Sequence, residues 1–413
     1  MIGNFSNKYQ KIISVLGAAL LFLPKINLIS VAGQSAGIRI DDIVLLVLAI
    51  PLFLSFKLNA INKIEMYLGL MLFAFFLSNV FNTYFFNRSN ILYSFRYVEY
   101  IIFFYIGYLY SKNFDINKLL IGFLCINGSI MILQTIGLMG GFSSEGFVDD
   151  SSARAIGLTG GPWEIGAIIN FIFCLLVFGN TEHPPVSNKR LYVIFVVTFA
   201  LILLTGARMP TLTHLVLLMI ALYRRSKVKL FFLFKIAAVI IPFILAVLLI
   251  PNKVVSRSEN LLSMENIDLF IYDYNHVKLE KDFKGFPDIL YSDDADMSWL
   301  MRMAKWTYAL RAWNNTSLTY AIGVGPGAWG PALDGGWIRL LTETGIIGLT
   351  TFFLSLKRIA TISFSTTAIV LSLFINMLMI DIHIAYKAMS ILFFIAGYSY
   401  SKHFKTALTF QSI

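Results

Sequence analysis

Few residues in this 413-residue chain can do chemistry. Arg208 stands in Thr205-Gly206-Ala207-Arg208, between two apolar runs. An arginine there is either a snorkelling anchor or a bidentate phosphate ligand in a site of low dielectric. Arg154 follows Asp149-Asp150 and precedes Gly157, Gly160-Gly161-Pro162 and Trp163-Glu164. Those glycines either loosen a loop or let backbone N–H groups approach an anion. Arg302 and Arg311 punctuate a helical period formed by Leu300, Met303, Ala304, Trp306, Thr307, Leu310 and Trp313. The turn Gly323-Val324-Gly325-Pro326-Gly327-Ala328-Trp329-Gly330 leads to Asp334 and then to Arg339 and Glu343, an i,i+4 pair that shares one helix face. Asp334 reads as a helix N-cap or as a general base at a membrane surface.

Other polar residues read more plainly. Arg96 and Glu99, at i,i+3 among Tyr93, Tyr97, Tyr100, Tyr105 and Tyr108, form an internal ion pair or border a sugar- or lipid-facing groove. Glu164 caps a span or meets Arg154, and Asp381 and His383 are polar residues of a short loop. The five histidines show no ligand spacing, and Cys125 and Cys174 lie inside apolar runs. No phosphate-binding glycine loop with Lys-Ser/Thr, HExxH or CxxC pattern occurs, so the reading calls for no metal and no cofactor.

The elements that must position these residues are membrane spans. Hydrophobic residues make up 57% of the chain, charged residues only 14%, and mean hydropathy is +0.74. Too few polar residues remain to cover a water-soluble fold. The spacing predicts an all-α polytopic integral membrane protein with about twelve transmembrane helices, near 10–28, 40–58, 64–86, 91–111, 118–138, 163–179, 190–206, 210–223, 230–250, 337–356, 361–380 and 388–401. A single kinked helix across Arg208 and Pro210 would make eleven. Three regions follow: a bundle of spans 1–9 (1–250), a large loop (251–336) and a bundle of spans 10–12 (337–413). The loop holds 19 of the 56 formally charged residues and an amphipathic helix over its second half, lying on the membrane or capping the bundle.

The net charge of +10 fits this layout better than it fits nucleic acid. With both termini cytoplasmic, the inner segments carry seventeen basic residues and the short outer loops six, namely Lys25, Arg39, Arg88, Arg154, Arg208 and Lys387. The large loop between spans 9 and 10 then faces the periplasm, and the arginines and Asp334 gather at that side.

The glycine turn followed by Asp334-Gly335-Gly336-Trp337-x-x-Leu340-Leu341-x-Glu343-x-Gly345-Ile346-x-Gly348 resembles the C-terminal signature of the O-antigen polymerase/O-antigen ligase superfamily. Arg302-x-x-x-Trp306, Thr205-Gly206-Ala207-Arg208 and Arg154-x-x-Gly157 with Pro162 are similar to three further motifs of that superfamily, in matching order. The likeness spans roughly 150–355. Ligases of the superfamily usually carry a His-Asn pair where this chain has Asp334-Gly335, so the polymerase branch is the nearer one.

That resemblance implies a bacterial inner-membrane glycosyltransferase, working at the periplasmic face without metal, that joins undecaprenyl-diphosphate-linked oligosaccharide repeat units. It implies Asp334, Arg208 and Arg302 as catalytic, and Arg154, Arg208, Arg302, Arg311, Arg339, Trp306 and Trp337 as contacts to diphosphate or sugar. The implied partners are the lipid-linked glycans, membrane lipids, a chain-length regulator and a flippase. A ligase transferring the glycan to lipid A-core is the alternative. A transporter is the third reading, disfavoured because the chain shows no internal repeat and no midplane cluster of charge.

Overall fold

The computed structural model describes residues 7–24, 27–30, 37–54, 62–86, 91–143, 146–148, 154–179, 185–226, 264–279, 297–330 and 333–411. The expected ninth span at 230–250, most of the large loop before 297, and Lys25, Lys57, Arg88, Asp149 and Asp150 lie outside those residues.

The described chain is predominantly helical. α1 (Asn7–Leu20) is followed by a hairpin of β1 (Asn27–Ser30) and β2 (Gly37–Arg39). Next come α2 (Ile40–Leu54), α3 (Lys63–Phe86), α4 (Ile91–Tyr110) and α5 (Ile116–Thr135). A second hairpin, β3 (Gly141–Ser143) with β4 (Gly146–Val148), precedes α6 (Pro162–Phe178), α7 (Asn188–Thr205) and α8 (Arg208–Arg225). The remaining helices are α9 (Met264–His276), α10 (Met297–Trp313), α11 (Ser317–Ile322), α12 (Gly336–Ala360), α13 (Phe364–Asn376) and α14 (Tyr386–Gln411).

Among the described residues, four helical stretches are long and apolar enough to cross a membrane: Lys63–Tyr84, Ile116–Thr135, Asn188–Thr205 and Gly336–Ala360. Pro162–Phe178 and Phe364–Asn376 are shorter apolar helices. The first expected span is shorter than the apolar run suggests. α1 stops at Leu20, the chain turns through Leu21–Leu23, and Pro24 supplies no N–H to continue.

α14 is buried on nearly every face from Tyr386 to Ser399 and forms the centre of the bundle beside α4. The two backbones meet closely because Gly107 sits against the Phe394 carbonyl and Gly397 against that of Phe104, where a Cβ has no room. α12 runs antiparallel to α3, with Ser355 Oγ donating to Tyr67 O at 2.9 Å and Ser78 Oγ to Glu343 O at 3.0 Å.

The break at Gly206 makes two helices, not one kinked helix. Gly206 closes α7 in a left-handed conformation (φ 59°), and α8 folds back along α7. His214 and Thr198, eight residues to either side of that glycine, meet at 3.0 Å, and His214 Nδ1 lies 2.7 Å from Asn170 Oδ1 on α6.

The helix ends sort into two groups. At one end, α3 reaches the 323–330 turn through Asn82, α4 reaches Ile384 through Arg96, and α13 reaches α12 through Phe374. At the other, Arg225 donates to Val177 O at 3.1 Å, Arg224 covers Phe364 and Arg358 covers Tyr67. The second group holds basic residues that the charge pattern assigns to one side.

Candidate functional site

The glycine-rich turn is built onto a broken helix. Gly345 has φ 65° inside α12, which frees carbonyls of the turn before it. Val324 N and Gly325 N donate to Thr342 O (2.8 Å) and Glu343 O (2.9 Å). Asn82 Nδ2 donates to Gly323 O at 3.2 Å, and Trp329 Nε1 to Thr342 Oγ1 at 2.7 Å. These bonds satisfy backbone groups that burial would otherwise leave costly. α10 lies over this turn, with Tyr308, Ala309 and Ala312 packed on Val324, Trp329 and Leu333. The amphipathic helix therefore caps the bundle.

The chain then presents Asp334, the one non-glycine residue with positive φ (59°) among the described residues. Asp381, from the segment before α14, holds that turn from beneath. Its Oδ2 accepts Leu333 N (2.7 Å) and Asp334 N (3.2 Å), its Oδ1 accepts Gly335 N (3.0 Å), and Arg339 Nη1 donates to Oδ2 at 3.0 Å. Burial alone would push the Asp381 carboxyl up, but Arg339 and the backbone donors outweigh it and hold it below the usual carboxylate range. Burial takes His383, two residues on, down to about 3, so it is neutral near neutral pH.

Arg339 is fully buried. Its Nε meets Glu343 Oε1 at 3.0 Å, as the i,i+4 spacing requires, and its Nη2 donates to Gly330 O at 2.6 Å. Expected as a substrate contact, it is instead walled off from solvent and ties the glycine turn to Asp381.

The Asp334 side chain points the other way, to Arg302 Nε at 3.2 Å, and the two side chains are 44% and 33% exposed. It caps no amide of α12, whose N-cap is Gly335. The Trp337 amide, which an N-cap at Asp334 would take, donates instead to Met377 O at 3.2 Å, and the N-cap reading of Asp334 gives way. Trp306 Nε1 donates to Leu333 O at 3.1 Å and Trp337 Nε1 to Phe374 O at 3.1 Å, so both indoles brace the turn. Arg311 is exposed and lies 5.6 Å from the Tyr274 ring centre. Nine residues of helix put it about 14 Å along α10 from Arg302.

The 154–164 segment is held by side chains from three helices. Gln134 Oε1 accepts Ile156 N and Gly157 N (3.0 and 2.9 Å), and Asn127 Oδ1 accepts Leu158 N (2.9 Å). Glu164 Oε2 accepts Gly160 N at 2.9 Å, while its Oε1 accepts Lys387 N at 3.0 Å. The N–H groups of Gly157 and Gly160, expected to cradle an anion, are thus consumed internally, and Glu164 serves α14 instead of Arg154. Lys387, buried, donates from Nζ to Leu158 O at 2.7 Å. Arg154 itself donates to Thr205 O (3.1 Å) and Gly206 O (3.3 Å), closing the end of α7 next to exposed Arg208. The structure so brings together Arg154 with the Arg208 turn, and Arg302 with Asp334. Glu164, Lys387 and Asp381 link the two groups through the start of α14.

The expected Arg96–Glu99 pair does not form. Glu99 Oε2 meets Arg39 Nη2 at 3.3 Å, and Arg96 Nη1 donates to Ile384 O at 3.3 Å. Sequence reasoning read Asp381 as an incidental loop residue and did not single out Gln134, Asn127 or Asn82. Each is a polar residue in or beside an apolar stretch, a signal that marks it as expensive to bury but does not name its partner. No family model matches this chain, and the curated proteins compared with it include no match.

Proposed function

We propose that the protein is a polytopic inner-membrane glycosyltransferase that polymerises undecaprenyl-diphosphate-linked oligosaccharide repeat units at the periplasmic face. In this reading twelve spans place both termini in the cytoplasm. The observation that carries it is the half-exposed Arg302–Asp334 pair, mounted on a buried carboxylate–guanidinium network at the helix end opposite the basic cluster. A solvent-facing cation and acid on a rigid base is what transfer from a lipid diphosphate requires.

In the reaction the bond from the anomeric carbon to the diphosphate oxygen breaks, and the electron pair leaves with undecaprenyl diphosphate. The same carbon forms its new bond to a hydroxyl oxygen of the incoming repeat unit, and that hydroxyl's proton passes to the Asp334 carboxylate. Arg302 and Arg208 stabilise the charge growing on the diphosphate. Arg154 aligns the Arg208 turn, Arg339 and the two tryptophans hold the Asp334 turn, and Arg311 meets sugar further along α10. The acid at position 334 favours polymerase over ligase.

Reconstitution of the purified chain with lipid-linked repeat unit alone tests this. A ladder of multiples of the unit is expected. Products no longer than the starting unit would overturn the reading, and transfer to lipid A-core in preference to a second unit would favour the ligase.

A further inference from the structure

A second candidate site lies in the wall formed by α2, α3 and α4, with its mouth at the same end of the bundle as the Asp334 turn: the Tyr93 ring lies 4.6 Å from Arg96 and 5.6 Å from Arg339. One cavity of about 480 Å³ is lined by apolar side chains and Gly69, with Glu65 and Tyr105 at its far end. Another of about 420 Å³ lies toward the start of α2, where Arg39, Asp42, Arg96 and Glu99 line it. Ala49, Phe53, Val98 and Ile102 border both, so the two form one trough. Leu46 and Phe53, more than two-thirds exposed, stand at its rim. From Ile40 to Phe53 α2 rises about 20 Å, more than the roughly 15 Å of one half of a bilayer's hydrocarbon core.

Charge at the mouth is unevenly shared. Arg39 is met by three carboxylates, Asp41 at 3.4 Å, Asp42, and Glu99 at 3.3 Å. Arg96, only 9% exposed, meets no carboxylate within ion-pair distance among the described residues; it has the Ile384 carbonyl and lies 4.6 Å from the Tyr93 ring centre. The mouth therefore combines a cation lacking an anion with carboxylates in excess of their cation. A headgroup carrying both charges matches it, whereas a purely anionic one meets Asp42 and Glu99 as like charges.

We propose that this trough binds one aminophospholipid, with its phosphate on Arg96, its ammonium at Asp42 and Glu99, and an acyl chain along Ala49, Phe53, Val98 and Ile102. The site is independent of the glycosyl-transfer reading.

The test is native mass spectrometry of the full chain in mild detergent, with phosphatidylethanolamine and phosphatidylglycerol of equal chain length. The wild type is expected to retain one phosphatidylethanolamine with about tenfold preference, the size of one charge-assisted contact. Asp42→Asn with Glu99→Gln should bring that preference toward unity. Gly69→Phe should release both lipids, because Gly69 lines the trough and a Cβ there meets nothing within 4 Å, so the ring takes up space the acyl chain would occupy. That variant also improves helix propensity, and an unfolding temperature at or near the wild-type value separates lipid loss from loss of fold. Equal retention of the two lipids by the wild type would overturn the headgroup assignment. Unchanged retention by Gly69→Phe, or a polyprenyl lipid held in the trough instead, would overturn the site.

Discussion

The Asp381 carboxylate accepts the backbone N–H of Asp334 at 3.2 Å and leaves the Asp334 carboxylate to face Arg302. One acid thus holds the main chain of the other. Because Oδ2 of Asp381 also accepts from Leu333 N and Arg339 Nη1, the exposed pair rests on a nearly closed set of buried bonds. That arrangement separates residues that keep the turn in place from residues free to react, and it orders the expected effects of substitution.

Asp334→Gly should separate stability from chemistry. Asp334 is held at φ 59°, a conformation costing a non-glycine residue about 1 kcal/mol or more. Its half-exposed ion pair with Arg302 contributes at most about 1 kcal/mol. The glycine variant should unfold at or above the wild-type temperature, whereas Asp334→Ala, which keeps the strain, should unfold below it. Both should lose glycan transfer by roughly a hundredfold or more if the carboxylate accepts the proton. An active glycine variant would remove Asp334 from the mechanism.

Asp381→Asn should be the more damaging acid substitution. Either orientation of the amide turns an NH2 toward a backbone donor and removes the charge facing buried Arg339. Loss of one partner of a buried pair costs about 3–5 kcal/mol. Thermal unfolding of the purified protein should show a larger drop than for Asp334→Asn, and a smaller one would show that Asp381 does not carry the turn.

Arg302→Lys distinguishes a diphosphate clamp from a simple positive charge. Lysine keeps the charge but loses the planar fork. Inorganic pyrophosphate binding and polymer formation should both fall nearly as far as in Arg302→Ala. Wild-type behaviour of the lysine variant in both assays would reduce Arg302 to an electrostatic partner of Asp334.

Gly345→Ala tests the broken helix. Gly345 has φ 65°, and a Cβ there runs into the Ala321 carbonyl. The turn at 323–330 would have to move, taking with it the bonds from Val324 and Gly325 to the 342–343 carbonyls. A loss of about 2 kcal/mol or more is expected, read as a lower unfolding temperature. Gly122→Ala, on an open helix face with nothing within 4 Å, should cost nothing.

Stability should fall with acid because of His383. Its folded pKa is lowered from 6.5 to about 3, so below pH 6.5 the unfolded chain takes up a proton that the fold refuses. The stabilisation is complete above pH 6.5 and declines by up to about 1.4 kcal/mol per pH unit down to about 3. Asp381, held below its usual range, adds a loss of the same sign at still lower pH. Unfolding temperatures measured from pH 7 to 4.5 should decline more steeply for the wild type than for His383→Gln. Parallel curves would show that His383 is not buried neutral.

Much of the architecture was legible in the amino-acid sequence. Apolar runs located most helices, because each must hide its backbone polar groups within itself in a bilayer. The i,i+4 spacing of Arg339 and Glu343 predicted a contact that local geometry alone determines. The period from Leu300 to Trp313 predicted α10, though its capping role depended on what lay beneath it. Likewise, Thr205-Gly206-Ala207-Arg208 permitted either a kink or a reversal. The meeting of His214 with Thr198 and Asn170 decided for reversal.

Sequence by itself determined that this chain is a greasy helical protein with a few arginines and acids set at helix ends. Uninterrupted apolar runs of about 20 residues satisfy their backbone groups within themselves only as helices. Only the tertiary structure decided which of those charges pair. Arg339 looked open to substrate and is sealed, Asp381 looked incidental and holds the turn, and Arg96 and Glu99 looked paired and part company. Partners forty or more residues apart are chosen by where helix ends converge, and spacing along one helix carries no record of that.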